Sequence, residues 1–259
     1  MSNIEKFAAN PLLAHASANM DTEQFVEDLG VPRLYFFFGG MGELGPKVRE
    51  ELQARGESIE DGDPFLFYEG GVVKLSEDTR FVLFPAYSLQ FWAQRKEVDK
   101  TLSDASLAVQ RGPSNRAGVT GWKENILALL IILDPIEGAM PIATVTTFEG
   151  AKCPFARGLR SAVLYSESKD WAKATPQNGA VIKSGAPTAF RVFAKMQLVP
   201  MVGKSGFSYV RALADCQTSG PEELKILSEW INAAECNDQL QSAIDKFDYL
   251  KEEISSIVA

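Results

Sequence analysis

Apolar and polar residues alternate along two stretches late in the chain, a pattern typical of β-strands that bury one face. Residues 189–199 and 207–214 follow this pattern, and a short loop separates them. We therefore predict a hairpin with one apolar face. The opposite face interleaves cations with aromatic rings, which are Arg191, Phe193, Lys195, Phe207, Tyr209 and Arg211. We expect these side chains to form one continuous exposed surface; the alternative is that a loop or another layer covers them.

Three further strands are predicted upstream of this hairpin. Residues 81–94 form a long strand that bends at Pro85, residues 122–134 are almost continuously apolar, and residues 140–148 are rich in β-branched side chains. A helix is predicted over residues 154–165. The order strand, strand, strand, helix, strand, strand is that of the OB-fold, a five-stranded Greek-key barrel. We therefore predict a mainly β protein with peripheral helices, in which a polar, basic loop over residues 95–121 joins the first two barrel strands.

The segments on either side of this core are acidic. Residues 1–76 are predicted to form an N-terminal α/β extension, and residues 77–217 form the OB-fold core. The extension contains a short strand, a helix that starts at Pro46 and a hairpin over residues 65–75. Residues 218–259 form a C-terminal helical segment with apolar residues at intervals of three and four. Such helices dock on the barrel or pair with a second copy of the chain, and docking is the commoner case.

Charge is distributed unevenly along the 259 residues, whose net charge is −8. Residues 74–215 hold 18 Lys and Arg against 12 Asp and Glu, whereas the segments on both sides carry an excess of carboxylates. A basic middle region favours contact with a polyanion. The acidic ends either compete with that polyanion or only keep the helices solvated.

Few residues in this sequence could support catalysis or bind a metal. His15 is the only histidine, the three cysteines lack the C-x-x-C spacing, and no Walker A motif is present. We therefore predict a protein that is not an enzyme and that has no metal site and no cofactor.

A glycine-rich turn is the one motif that would indicate a bound cofactor. Gly40, Gly42 and Gly45 match the G-x-G-x-x-G spacing of dinucleotide-binding loops, after a predicted strand and before a predicted helix. Glu43 would place a carboxylate in the phosphate loop, and no further βαβ units follow. A structural turn is the favoured interpretation, and a dinucleotide site is kept as an alternative.

The expected compartment is the cytoplasm, which would be the host cytoplasm if the protein is viral. No apolar run reaches membrane-spanning length, and the first 20 residues lack the pattern of a secretion signal. An odd number of widely spaced cysteines favours free thiols.

Two short motifs carry a resemblance to a known family. Residues 121–127, GWKENIL, lead into an apolar strand, and residues 134–138, DPIEG, form the turn that follows it. This arrangement resembles the central strand pair of bacteriophage single-stranded DNA-binding, helix-destabilising proteins. The resemblance implies an OB-fold, sequence-independent DNA binding and a role in phage replication, recombination or repair. The chain departs from the family in two ways: it lacks the zinc cluster of the T-even type, and its C-terminal segment is predicted to be helical rather than a disordered acidic tail.

The predicted function is therefore the binding of single-stranded DNA, with RNA as the alternative strand. Flat rings stack on bases and cations neutralise phosphates. The predicted stacking residues are Trp92, Trp122, Phe193, Phe207 and Tyr209. The predicted phosphate-binding residues are Lys96, Arg111, Arg116, Lys123, Arg191, Lys195, Lys204 and Arg211. A second hypothesis is a protein-interaction or assembly module, in which the acidic ends and the C-terminal helix bind replication proteins or a second copy of the chain.

Overall fold

The chain folds into a mixed α/β structure. The computed structural model describes residues 31–38, 41–42, 44–68, 71–95, 107–111, 122–135, 139–166, 188–203, 206 and 208–257. Within these residues, two antiparallel sheets and four α-helices are present.

The smaller sheet has three strands in the order β1-β2-β3. These are β1 (Arg33–Phe36), β2 (Pro64–Tyr68) and β3 (Gly71–Lys74). Helix α1, Leu44–Ala54, lies between β1 and β2 in the chain. Its Val48 and Leu52 pack in one apolar cluster with Phe65 of the sheet. The strand, helix and hairpin predicted for this region are therefore confirmed.

The larger sheet has the order β7-β6-β4-β8-β9, and β5 pairs with β4 outside this path. Its strands are β4 (Arg80–Arg95), β5 (Leu107–Arg111), β6 (Trp122–Ile132), β7 (Ile142–Glu149), β8 (Val192–Val202) and β9 (Ser208–Thr218). Strands β4, β6 and β7 are successive antiparallel neighbours, and β8 returns beside β4 after helix α2, Cys153–Ser166. This is a Greek-key arrangement.

Strand β4 is long and bent, as the sequence predicts. Its register with β6 shifts between Leu83 and Ser88, on either side of Pro85. Proline cannot donate to a ladder and is found at bulges of this kind. Before the shift, β4 lies between β6 and β8; beyond it, β4 lies between β6 and β5, a strand within the segment predicted as loop.

Both faces of the larger sheet are buried. The inner face packs against the smaller sheet and α2 in a cluster that includes Leu66, Val73, Leu130, Phe148, Phe155 and Leu159. The outer face packs against helices α3 (Pro221–Asn232) and α4 (Ala234–Ile257) in a cluster that includes Leu129, Ile131, Phe193, Trp230 and Phe247. The predicted docking of the C-terminal helices is therefore confirmed.

The described strands do not close into a five-stranded barrel, because β7 and β9 are not paired with each other. The edge of β7 faces β1 instead, where the Thr146 hydroxyl donates to the Leu34 carbonyl at 2.7 Å. On the opposite side, Gly62 approaches β9 so closely that a Cβ there would lie 2.8 Å from Val210. The smaller sheet and its loop thus contact both β7 and β9, where a closed barrel would join these two strands.

Candidate nucleic-acid interface

The β8–β9 hairpin is longer than predicted, and its register decides which side chains meet. Val192 lies opposite Thr218 at one end and Val202 lies opposite Ser208 at the other. Lys195 therefore faces Asp215, whereas Arg211 faces Val199. The ladder extends four residues beyond the predicted end of the second strand. As a result, Phe193 and Lys195 lie towards one end of the hairpin, and Tyr209 and Arg211 lie towards the other.

The expectation of one continuous exposed surface is wrong. The Phe193 side chain is 5% exposed and belongs to the cluster beneath α3 and α4. The guanidinium of Arg80 lies 5.9 Å from the centre of its ring. A ring covered in this way cannot stack on a base. Alternation along a strand identifies two faces, but it does not reveal that a helix from the end of the chain covers the second one.

Lys195 is only partly exposed, and its charge is already in an ion pair. Its Nζ lies 2.7 Å from a carboxylate oxygen of Asp78. The hydrogen bond and the positive charge of Lys195 hold the pKa of Asp78 below its usual value. Because exposed ion pairs are weak, a phosphate can compete with Asp78 for this cation.

The half of the hairpin nearer its loop remains open. We call its outer side the distal hairpin face; it consists of Gln197, Val199, Met201, Tyr209, Arg211 and Leu213. Tyr209 is 37% exposed, and Arg211 is half-buried opposite Val199. None of the six residues belongs to the buried clusters. This face therefore offers one ring, one cation and a strip of half-buried apolar side chains.

Trp92 is also too buried for its predicted role. Its side chain is 7% exposed, and its indole Nε1 has no hydrogen-bond partner. It lies on β4 opposite Glu124 of β6. In this conformation its ring is not available to a base.

The other predicted site residues cannot be placed on this surface. Lys96, Arg116, Lys204 and Phe207 lie outside the described residues, and so do the side chains of Arg111, Trp122 and Lys123. Their roles stay predictions. Arg191 is half-buried in the turn before β8, where its carbonyl accepts a hydrogen bond from the Ser219 amide.

Arg80 is an important contact that the sequence analysis missed. Its guanidinium donates to both carboxylate oxygens of Asp134, at 2.6 and 2.8 Å, and to Glu223 at 2.6 Å. These hydrogen bonds, chiefly those to Asp134, raise its pKa above the ordinary value. Glu223 belongs to α3, so this cluster ties the covering helix to the sheet. A single arginine beside a turn gives no sequence signal for such a role.

Metal and thiol chemistry is not supported by the part of the chain that the structure describes. There, no three His, Cys, Asp or Glu side chains lie close enough to hold a metal ion. Burial raises the pKa of Cys153 to about 12 and that of Cys216 to about 11, so both remain protonated thiols at neutral pH. Among the described helices, none is long and apolar enough to span a membrane.

Comparisons of this chain with protein-family models, with curated proteins and with solved structures found no match.

Proposed function

We propose that this protein binds single-stranded DNA, without sequence specificity, at the distal hairpin face and the loops next to it. The observation that carries the proposal is the opening on the outer side of this hairpin. Helices α3 and α4 bury Phe193 at the near end of the hairpin, while Tyr209 and Arg211 stay accessible at the far end. A ring and a cation on adjacent positions of one strand face are suited to a base and its phosphate.

The strand order supports this proposal. If β5 is left out, the strands of the larger sheet lie in the order third, second, first, fourth, fifth. A Greek-key barrel has this order when it is opened between its third and fifth strands. In the OB-fold, the loop between the fourth and fifth strands grips oligonucleotides. Here that connection is the loop of residues 203–207, which contains Lys204 and Phe207 and adjoins the distal hairpin face.

The proposed site differs in position from the usual OB-fold site. OB-folds also use the face of their second and third strands. In this chain the matching strands are β6 and β7, and their outer face packs against α3 and α4 through Leu129, Ile131 and Val145. We therefore assign binding to the hairpin end and not to the centre of the sheet.

The proposal is tested by titrating a fluorescein-labelled oligo-dT and following its anisotropy. Arg211→Glu should weaken binding about tenfold at low salt and should make binding less sensitive to salt, because about one phosphate contact is lost. Tyr209→Ala should weaken binding by between about fivefold and a hundredfold, the range for one stacked base. Lys47→Glu is the matched control, since it makes the same charge change on an exposed position of α1. Equal affinity for all four proteins would remove the site.

The same face also allows a second candidate function, the docking of a protein partner. Val199, Met201 and Leu213 are half-buried apolar side chains that belong to none of the buried clusters. Protein docking on this strip would be less sensitive to salt than DNA binding. A Met201→Asp substitution would abolish it, whereas Arg211→Glu would leave it largely intact.

A further inference from the structure

A cleft lies at the β7 edge of the larger sheet, between β1, β7 and α4. Its volume is about 540 Å³. This is within the range of about 300–1,000 Å³ that small-molecule sites occupy. The cleft forms where β1 and β7 lie side by side without a backbone ladder between them. None of the residues assigned to the proposed DNA site lines it.

Lys152 is the most unusual side chain in this cleft. Its Nζ lies 4.6 Å from the centre of the Phe36 ring. Within the described part of the chain, it makes no ion pair with a carboxylate. Burial lowers its pKa to about 8, and the more distant charge of Asp63 opposes this effect. A half-buried ammonium on an aromatic face is therefore available to an anion.

The remaining lining suits a ligand with a flat ring and polar edges. Phe38 is 54% exposed at the cleft, and Tyr249 is partly exposed on α4. Four further charged side chains line the cleft, namely Arg33, Glu149, Lys246 and Glu253, and Glu253 accepts a hydrogen bond from the Tyr249 hydroxyl at 2.9 Å.

We propose that this cleft is a separate ligand site for one nucleotide unit, with the phosphate at Lys152 and the base against Phe38 and Tyr249. The unit is either a free mononucleotide or the terminal nucleotide of a strand, since both offer the same phosphate and ring. A simple carboxylate would pair with Lys152 but would leave the rings of Phe38 and Tyr249 without a flat partner. A purely apolar ligand would leave the ammonium of Lys152 unpaired.

Isothermal titration calorimetry with dTMP, dAMP, thymidine and inorganic phosphate tests the site. Each mononucleotide should bind more tightly than either thymidine or phosphate alone. Lys152→Gln should weaken mononucleotide binding at least tenfold, and Phe38→Ala should weaken it about fivefold. Lys225→Gln, on the exposed side of α3, is the matched control and should change nothing. Because Phe38 is largely exposed, its variant should fold even if the Lys152 variant does not.

Two further comparisons identify the source of the nucleotide. If oligo-dT with a 5′ or 3′ terminal phosphate binds more tightly than the unphosphorylated strand, and Lys152→Gln removes the difference, the ligand is a strand end. If free mononucleotides bind and terminal phosphates have no effect, the ligand is a free nucleotide. The proposal is overturned if neither free mononucleotides nor terminal phosphates depend on Lys152.

The cleft site can be tested independently of the proposed function. Arg211→Glu should reduce oligo-dT binding and leave dTMP binding unchanged, because Arg211 does not line the cleft. If dTMP binds and oligo-dT does not, the cleft proposal holds and the DNA-binding proposal fails.

Discussion

Arg80 links the larger sheet to the helix that covers its outer face. It joins Asp134 at the end of β6 to Glu223 in the first turn of α3. Glu223 is largely buried, so removing its partner leaves a poorly solvated charge. Breaking such a pair destabilises proteins more than replacing both partners does.

We expect Arg80→Ala to lower the free energy of unfolding by about 2–4 kcal/mol, because Glu223 then lacks its partner. Urea denaturation followed by circular dichroism measures this change. The control is Lys225→Ala, which removes an exposed pair with Glu229 on the same helix and should change stability by less than about 0.5 kcal/mol. Equal effects of the two substitutions would mean that Arg80 does not anchor α3.

Lys152 gives a prediction in which stability depends on pH. Its folded-state pKa is about 8, against 10.5 for an unperturbed lysine. Between these two values the unfolded chain binds more protons than the folded chain, so the contribution of Lys152 to stability rises with pH across this window. Below pH 8 the folded chain must keep a charged lysine half-buried.

Lys152→Met should therefore stabilise the protein at pH 7, by about 1 kcal/mol after allowance for the partial exposure of the lysine. The gain should disappear near pH 10.5, where the lysine is neutral in the folded protein. Urea midpoints at pH 7 and pH 10.5 measure the difference, with Lys225→Met as an exposed control. A gain of the same size at both pH values would show that the charge of Lys152 is not the cause.

At the scale of elements, the contact between the loop before β2 and strand β9 positions the smaller sheet. Gly62 has a φ of +104° and faces the Val210 side chain at close range. Gly56 also has a positive φ, of +76°, but the space around it is open. The two glycines thus share the backbone restriction and differ in the steric contact.

Gly56→Ala should destabilise the protein by about 1 kcal/mol, the usual strain of a left-handed non-glycine residue. Gly62→Ala should cost about 1–3 kcal/mol more, because the added methyl overlaps Val210. Thermal unfolding of both variants measures the gap between them. No gap would indicate that the loop and β9 separate easily.

Much of the element order could be predicted from the sequence. Periodicity identified the three upstream strands, α2, the β8–β9 hairpin and the amphipathic C-terminal helices, and Pro85 marked the bend in β4. Local patterns report the period and the faces of an element. Local patterns do not fix where the two strands of a hairpin end or which residues pair across them. The register of β8 with β9 was therefore not predicted.

The site was less predictable than the fold, for a physical reason. Phe193 and Tyr209 have similar local surroundings, each next to a cation on an alternating strand, yet only Tyr209 is exposed. The difference comes from α3 and α4, which are distant in sequence. Lys152 was missed because its cleft is formed by β1, β7 and α4, and no local motif joins these elements.

At the scale of the whole molecule, the layers account for where a polyanion can bind. The order is α1, the smaller sheet, the inner core with α2, the larger sheet, and finally α3 with α4. The acidic C-terminal helices cover the centre of the larger sheet, so their surface is unfavourable for a polyanion. On the proposed function, DNA would therefore contact the basic middle of the chain at its hairpin.

The position of DNA on this surface is tested most directly by photocrosslinking. An oligo-dT in which bromodeoxyuridine replaces some thymidines is irradiated with the protein at low salt, and the crosslinked peptides are mapped by mass spectrometry. We expect crosslinks at Tyr209 and within the loop of residues 203–207, and these should decrease with added salt and with Arg211→Glu. Crosslinks confined to α3 and α4, or no crosslinks at any salt concentration, would contradict this expectation.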